Sequence, residues 1–470
     1  MADADSSRAA HFLHYTSPGA VLSTEKHAYP PARGCVRVAS LKKQALVLTI
    51  ANAYTRALGF VLRLVTARLM GAQALGVMEL ASSAVMLAIT PVTAGVPTAM
   101  SRLTAQKGAD EQAVLRAGLS LIRRLTACLI PGMLLLSPLI AWLLGDMRTL
   151  PSILTSLPMI GLLGLCAVYS GWFYGRDDAG TPAFSECAEQ TVRCVLAILL
   201  LMTFRRSSVA MTAALPNLAE VAAGMVVWLM FRRKSPRLLR KPPDAAIRRE
   251  IIRLTAPTTG ARLCQTALRA LNAVLLPVCL RRSGLSAEAA TAQFGLLNGM
   301  AMPLLMLPGI VTGAICMVAT PAVSRQEGQH RRLQRTMRQL LGSSAAVGAV
   351  TMIGLFFAAE FISTRLYREP ALAPLLRLLA PAALLMAVQQ VQFGLITGLG
   401  LQNKALTGTV IASFLSLGIT AVLCPLPGVR LYGAAIATLA GTLLRLLWNA
   451  AVLRLARTTS TVSTCPSIID

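Results

Sequence analysis

Arg56 and Arg63 stand seven residues apart inside the apolar run YTRALGFVLRLVTARLMG (54–71), and Arg262 and Arg269 stand seven apart inside RLTAPTTGARLCQTALRALNAVLLP (253–277). Seven residues at about 100° each close nearly two helical turns, so each pair shares one helix face. Guanidinium groups stay protonated and present a planar fork of donors that matches carboxylate and phosphate oxygens. Four such groups aimed from two helices are suited to holding an anion, and none of them is a general acid or base.

The elements that must position these cations are set by composition. Of the 470 residues, 55% are hydrophobic and 14% charged, against about 25% charged in a soluble domain, and the mean hydropathy is +0.63. Apolar runs of about 20 residues, long enough to cross a hydrocarbon core as a helix, recur along the chain. They predict spans near 44–70, 77–104, 115–144, 151–174, 182–204, 209–231, 250–280, 291–322, 338–364, 372–399, 405–424 and 431–455. Period-two alternation is absent, which excludes a membrane barrel. The predicted fold is an all-α polytopic membrane protein of about twelve helices.

An arginine at the bilayer centre costs roughly 2.5–3.5 kcal/mol, so four facing lipid would cost on the order of 10 kcal/mol. The economical arrangement turns them toward a shared aqueous cavity. Counted from the basic flank of each helix at ~1.5 Å per residue, Arg56 lies ~20 Å deep and Arg63 ~30 Å, with Arg262 at ~14 Å and Arg269 at ~24 Å. Matching the pairs in order sets Arg56 against Arg262 and Arg63 against Arg269. Arg68, Arg253, Arg281 and Arg282 are read as cations reaching the interface.

The net charge of +26 reports topology. One set of alternate connections holds Lys42, Lys43, Arg102, Lys107, Arg116, Arg123, Arg124, the block FRRKSPRLLRKPPDAAIRRE (231–250) and Arg325 to Arg338, while the other set is cation-poor. The asymmetry puts both termini in the cytoplasm, and it gives the charge a use other than nucleic acid. Two anchors support an internal duplication. GVPTAMSRLTAQKG and GAICMVATPAVSRQEGQ place Arg102 and Arg325 223 residues apart, and GWFYGRDDAGTPA and ITGLGLQNKALTG place Gly175 and Gly400 225 apart. The organisation expected is a cytoplasmic tail at 1–40, without a cleavable signal's apolar core and read as disordered, then a six-helix lobe at 41–231. A basic linker at 232–249, a second six-helix lobe at 250–457 and a tail at 458–470 follow. The lobes are expected to form a parallel repeat about an axis along the membrane normal, enclosing a central cavity.

Other polar groups fall within predicted spans. Glu79 and Glu189 are candidate ion-coupling carboxylates, with a Glu189–Arg193 pair along one helix face as the plainer reading of the second. Pro91, Pro97, Pro257, Pro277, Pro303 and Pro308 are expected to kink their helices. The ten cysteines include no Cys-x-x-Cys pair and read as small buried hydrophobes, and all four histidines lie outside the spans. No Walker loop, G-x-S-x-G or metal set is present, so neither enzymatic activity nor a cofactor is expected.

The segments RALGFVLRLVTARLMGAQALGVMELA, GVPTAMSRLTAQ and WFYGRDDAGTPAFSECAEQTVR resemble the polysaccharide-biosynthesis branch of the multidrug/oligosaccharidyl-lipid/polysaccharide exporter superfamily. The resemblance covers nearly all of the chain after residue 40. It implies two six-helix lobes in a bacterial cytoplasmic membrane and alternating-access export of a lipid-linked saccharide, such as a peptidoglycan precursor, with membrane lipids and envelope-synthesis proteins as partners. It also implies arginines of the first helix and the second lobe in the cavity: Arg56 matches such a position, and Arg63 falls one residue from the usual place. Some relatives carry two further carboxy-terminal helices that this chain lacks. The site expected is Arg56, Arg262 and Arg269 around a pyrophosphate headgroup, with Arg63 as an outer contact. The alternative is a multidrug exporter of the same architecture moving organic cations by ion antiport, which a cavity lined by arginines disfavours. An intramembrane enzyme on a lipid carrier would need a convergent acid, base or metal set, and a non-transporting scaffold would tolerate loss of Arg56 and Arg262.

Overall fold

A computed structural model describes residues 38–106, 108–204, 206–236, 242–316 and 330–462. Most of the expected tails (1–37 and 463–470) and the anchor at Arg325 lie outside the described residues. Residues 44–470 form one compact unit, and of the separate unit 1–43 the described residues 38–43 are helical.

The chain runs through α1 (Val38–Thr93), α2 (Val96–Thr104), α3 (Glu111–Leu143), α4 (Leu150–Gly175), α5 (Gly180–Thr203) and α6 (Val209–Lys234). It continues through α7 (Ala245–Arg282), α8 (Ala287–Phe294), a π-helical stretch Gly295–Ala301, α9 (Met302–Leu305), α10 (Gly309–Cys316), α11 (His330–Phe361), α12 (Leu372–Gly398), α13 (Gln402–Leu423) and α14 (Leu431–Val462). Among the described residues there is no strand. Among the described residues nine helical segments are long and apolar enough to cross a membrane, or ten if the bent pair Ala287–Leu305 and Gly309–Cys316 is one span. The 24-residue α5 falls outside that set because it carries Glu186, Glu189 and Arg193.

The longest apolar segment, Leu48–Thr104, is interrupted at Gly71, whose φ of 72° and ψ of 173° leave the helical region. A residue with a Cβ avoids that conformation. Arg63 and Glu79 lie eight residues on either side of Gly71, about 24 Å apart along a straight helix. Their Nη1 and Oε1 atoms are 3.7 Å apart, so the chain reverses here. The two limbs correspond to the first and second predicted spans. The expected linker is shorter than the charge pattern implied: α6 continues through Lys234, and Asp244 caps α7 by accepting from the Ala246 N–H at 2.7 Å.

Helix starts carry the repeat. α12, α13 and α14 begin 222 residues after α4, α5 and α6 (372 − 150, 402 − 180, 431 − 209). Of the six prolines expected to kink, Pro308 lies where the chain bends by 53° between α9 and α10, while Pro97 and Pro303 sit in the first turns of short helices, where a missing N–H costs nothing.

The quoted motifs meet one another. Gly171 and Gly175 of α4 lie against α2: a Cβ on Gly171 would stand 2.5 Å from the Pro97 carbonyl oxygen, and one on Gly175 would stand 2.7 Å from that of Ser101. Small residues at this spacing let two membrane helices approach closely, where dispersion replaces the absent hydrophobic drive. Next to them, Trp172 Nε1 donates to the Glu111 carbonyl at 3.0 Å, and Arg176 both stacks on Trp172 at 4.4 Å and pairs with Glu111 at 3.1 Å. Between α4 and α6, buried Asn217 donates to the Ser152 carbonyl at 3.0 Å. The second limb of α1 crosses α8 in the same manner: a Cβ on Gly76 would collide with the Thr291 carbonyl, and one on Gly295 with the Ala72 carbonyl.

One chemical change should therefore act with opposite signs at two α-helical glycines. Gly132, with open space where its Cβ would be, should gain up to about 1 kcal/mol as Gly132→Ala through helix propensity. Gly171→Ala should lose roughly 1–3 kcal/mol through overpacking. Thermal unfolding of the two purified variants in one detergent checks the pair.

Candidate functional site

Arg56, on the first limb of α1, donates from Nη1 to the Gly309 carbonyl of α10 at 3.2 Å, 253 residues away. α10 carries glycines at 309 and 313, and the tighter neighbour of both is Gln390. A Cβ on Gly313 would stand 3.5 Å from Arg56 Nη2 and 3.3 Å from Gln390 Nε2. Gln390 of α12 accepts from the Thr312 hydroxyl at 2.6 Å. A permanent cation of the first half thus rests on an uncharged polar platform from the second, and its remaining donors have no carboxylate within 4.0 Å among the described residues.

Helix ends set the relation between the arginine pairs. α1's first limb stops at Gly71 and α7 stops just before Gly284, both left-handed, with φ of 72° and 90°. Arg56 precedes Gly71 by 15 residues and Arg269 precedes Gly284 by 15 (71 − 56, 284 − 269), which places both about 22 Å from that end of the bundle. Arg269, and not Arg262, is therefore the counterpart of Arg56. The counterpart of Arg63 is Leu276, which is fully buried. The count from basic flanks misaligned the pairs because α7 extends further than α1's first limb at its cytoplasm-assigned end.

Arg262 and Arg269 lie roughly 40–80° around α7 from the residues that meet the second limb of α1. Among those residues Thr259 donates to the Ala94 carbonyl at 2.7 Å, and the Thr266 and Thr90 hydroxyls are 3.2 Å apart. Both arginines are exposed at the margin of this seam and have no carboxylate within 4.0 Å among the described residues.

The other three candidates are Arg63, Glu79 and Glu189. Arg63 pairs with Glu79, 56% and 21% exposed respectively, so the carboxylate expected to couple an ion is the counter-charge of the arginine expected to touch the headgroup. Glu189 does not bridge to Arg193. Arg193 instead donates to Glu220 of α6 at 2.9 Å and to the Gln190 side chain, because α5 packs on α6 and offers it a partner across the seam. Glu189 is left near Glu186, Glu220 and Arg193 without a bridge of its own. Gln190 also covers Gly59, and Thr191 bonds Tyr54 at 2.9 Å, so this polar patch abuts the limb that carries Arg56. Among the described residues no group of three His, Cys, Asp or Glu could hold a metal ion.

Two polar features escaped the sequence reading. Arg445 of α14 is half-buried, and its Nε is fully buried with no hydrogen-bond partner. It stands in the apolar run ATLAGTLLRLLWNA, so the signal that found Arg56 was present there too. Asp146, in the α3–α4 turn, is 5% exposed and accepts from Arg148 Nη2 at 2.8 Å and from Thr291 of α8 at 2.9 Å, while Arg148 also reaches Glu288 at 3.1 Å. This cluster joins the two halves at the cation-poor end. Burial, the largest single influence, pushes the Asp146 carboxyl up, but the Arg148 and Thr291 hydrogen bonds and the Arg148 charge together outweigh it and hold it below the usual carboxylate range. Cavities of about 330 Å³ and 570 Å³ lie elsewhere, the first against Arg176, Asp178 and Lys234, the second against Gln334, Arg338 and Val388.

The helical bundle shares its fold with solved transporters of the multidrug/oligosaccharidyl-lipid/polysaccharide (MOP) superfamily. An inward-facing multidrug resistance MATE family transporter of that superfamily superposes with a TM-score of 0.72 at 15% identity, over 90% of this chain and 96% of its own. The lipid II flippase MurJ in an inward closed conformation superposes with a TM-score of 0.68 at 12% identity, over 87% of each chain. Residues 41–327 match the polysaccharide biosynthesis protein family, and the chain belongs to it. Stage V sporulation protein B of Bacillus subtilis (strain 168) is 29% identical over 431 residues, 87% of this chain and 82% of its own. The chain is thus a multi-pass membrane protein of the polysaccharide biosynthesis family with the fold of these solved transporters.

The Asp146 cluster carries a pH expectation. A lowered carboxyl contributes stability that is fully present above its unfolded pKa of about 3.9 and is lost as pH falls through the lower folded value. Thermal stability should be flat in this respect from pH 7 to about 5 and fall only below about 4. Asp146→Ala, which leaves Arg148 with only the exposed Glu288 and Thr291 without its acceptor, should cost roughly 1–3 kcal/mol at pH 7 and abolish the acid-dependent step.

Proposed function

We propose that the protein is a flippase that moves a lipid-linked saccharide across the bacterial cytoplasmic membrane by alternating access. Counting both limbs at Gly71, α5 and the broken span gives twelve passes, six before and six after the basic linker, with both termini cytoplasmic by the distribution of Lys and Arg. The first-half and second-half helices act as two lobes. They touch through the Gly76–Gly295 crossing, the Asp146 cluster and the Arg56–Gly309 bond, and these separate in turn as the lobes rock.

The observation that carries the reading is the matched depth of Arg56 and Arg269 on equivalent helices, with Arg262 a further two turns along the same face and no carboxylate partner for either α7 arginine. A pyrophosphate headgroup neutralises such a set, and the guanidinium forks bind its oxygens with paired, charge-assisted hydrogen bonds. The acyl chain remains in lipid. Arg63, held by Glu79 near the outer end, is an outer contact released when that pair opens. Glu189, beside Glu220 and Arg193, is placed to exchange a proton or cation as the α5–α6 patch shifts against α1. Membership of the polysaccharide biosynthesis family and the 29% identity to stage V sporulation protein B support a saccharide-bearing lipid as cargo.

A headgroup-accessibility assay in proteoliposomes tests this. Lipid-linked saccharide should become accessible with wild-type protein, at least about tenfold more slowly with Arg262→Ala or Arg269→Ala, given the 1.5–3 kcal/mol of a charged hydrogen bond. Arg68→Ala, which alters an exposed arginine outside the site, should match the wild type. Movement of an organic cation in place of the lipid would favour the exporter reading.

A further inference from the structure

Among the described residues no carboxylate lies within 4.0 Å of Arg445. From Glu369 to the terminal Asp470 there is no Asp or Glu, so α12, α13 and α14 are free of carboxylates. On α7 the last carboxylate is Glu250, one turn into the helix, and the next in sequence is Glu288, beyond the helix end. Arg445 nevertheless points inward. It belongs to a stripe of Thr438, Thr442, Arg445 and Asn449 spaced four, three and four residues apart, which lies on one helix face. Thr442 and Asn449 are 5% and 2% exposed, and Asn449 Oδ1, like Arg445 Nε, is buried without a partner.

The charged neighbour that acts on Arg445 is another cation, Arg269. α13 lies against both α7 and α14 and brings them together. The depths agree as well: Arg445 is 14 residues into α14, about 21 Å from the end at which Arg269 and Arg56 lie about 22 Å deep. Two permanent cations at mid-depth, with one Nε sealed from water, repel each other, and an anion between or beside them relieves that cost.

Resting on the flippase reading for the identity of its natural ligand, we propose that Arg445 and Arg269 form an anion subsite inside the second half that takes a phosphate-type oxyanion. Arg269, exposed at the seam, receives the anion, and Arg445 neutralises it from within the half. The same chemistry is offered by the pyrophosphate of a polyprenyl lipid and by free phosphate or pyrophosphate. The site gives the second half a ligand-dependent charge balance: empty, it holds two unpaired cations; filled, it holds a neutralised cluster.

The experiment uses full-length protein in phosphatidylcholine nanodiscs, titrated at constant ionic strength with inorganic phosphate, inorganic pyrophosphate and a polyprenyl pyrophosphate. Calorimetry and thermal unfolding are the readouts. Wild type should bind pyrophosphate saturably and gain thermal stability with it. Arg445→Leu should weaken binding at least about tenfold, the loss expected for one charged hydrogen-bond partner. Without anion, Arg445→Leu should unfold no lower than wild type, because an apolar side chain replaces an unpaired cation. Should that variant fail to fold, Arg445→Lys and Arg269→Leu replace it, with Arg445→Lys expected to keep most of the affinity and Arg269→Leu to lose it. Unchanged anion affinity in Arg445→Leu, or no saturable binding by wild type, overturns the proposal. Binding of inorganic pyrophosphate that the polyprenyl form cannot compete with leaves the subsite standing and removes the flippase reading.

Discussion

A guanidinium cannot be neutralised by losing its proton, and this constraint organises the molecule. Each arginine at bilayer depth must reach a carboxylate, a carbonyl, water or a bound anion. The chain meets the requirement differently along its length. Arg63 has Glu79, Arg193 has Glu220, Arg148 has Asp146 and Glu288, and Arg377 has Glu360. Arg56 has the Gly309 carbonyl. Arg262, Arg269 and Arg445 have no such partner among the described residues, and they are the ones that a transported anion would complete.

Close approach of backbones is what puts these groups within reach of one another. Gly309 and Gly313 let Gln390 approach α10, Gly76 and Gly295 let the second limb of α1 cross α8, and Gly171 and Gly175 seat α4 on α2. The crossings between halves are small, polar at their margins and flanked by the Gly71 reversal, the π-helical stretch and the break at Pro308. Beside them one apolar cluster, with Leu75 and Leu80 from the first half and Leu280 and Phe294 from the second, runs through both.

Much of this was legible in one dimension. Apolar length located the spans to within a few residues at most ends, and a cation inside an apolar run is conspicuous whatever the fold. The duplication was visible in two short anchors, and helix starts repeat it at 222 residues. Errors arose where a conclusion needed a partner. Glu189 and Arg193 have good spacing for a pair, but α6 offers Arg193 a better-placed carboxylate. Arg56 was matched to Arg262 by order along the chain, whereas the terminal glycines match it to Arg269. Asp146 lies in a short turn among hydrophobic residues, and its importance comes from Thr291, 145 residues away.

By itself the sequence determined that the protein spans a membrane many times and that several arginines lie inside apolar segments, where they need a partner. These are properties of hydropathy and of permanent charge, which every residue carries wherever it is placed. Only the tertiary structure decided which arginine meets which group. A hydrogen bond or ion pair requires two side chains within a few ångströms, and that distance is set by helix crossings and by the reversal at Gly71.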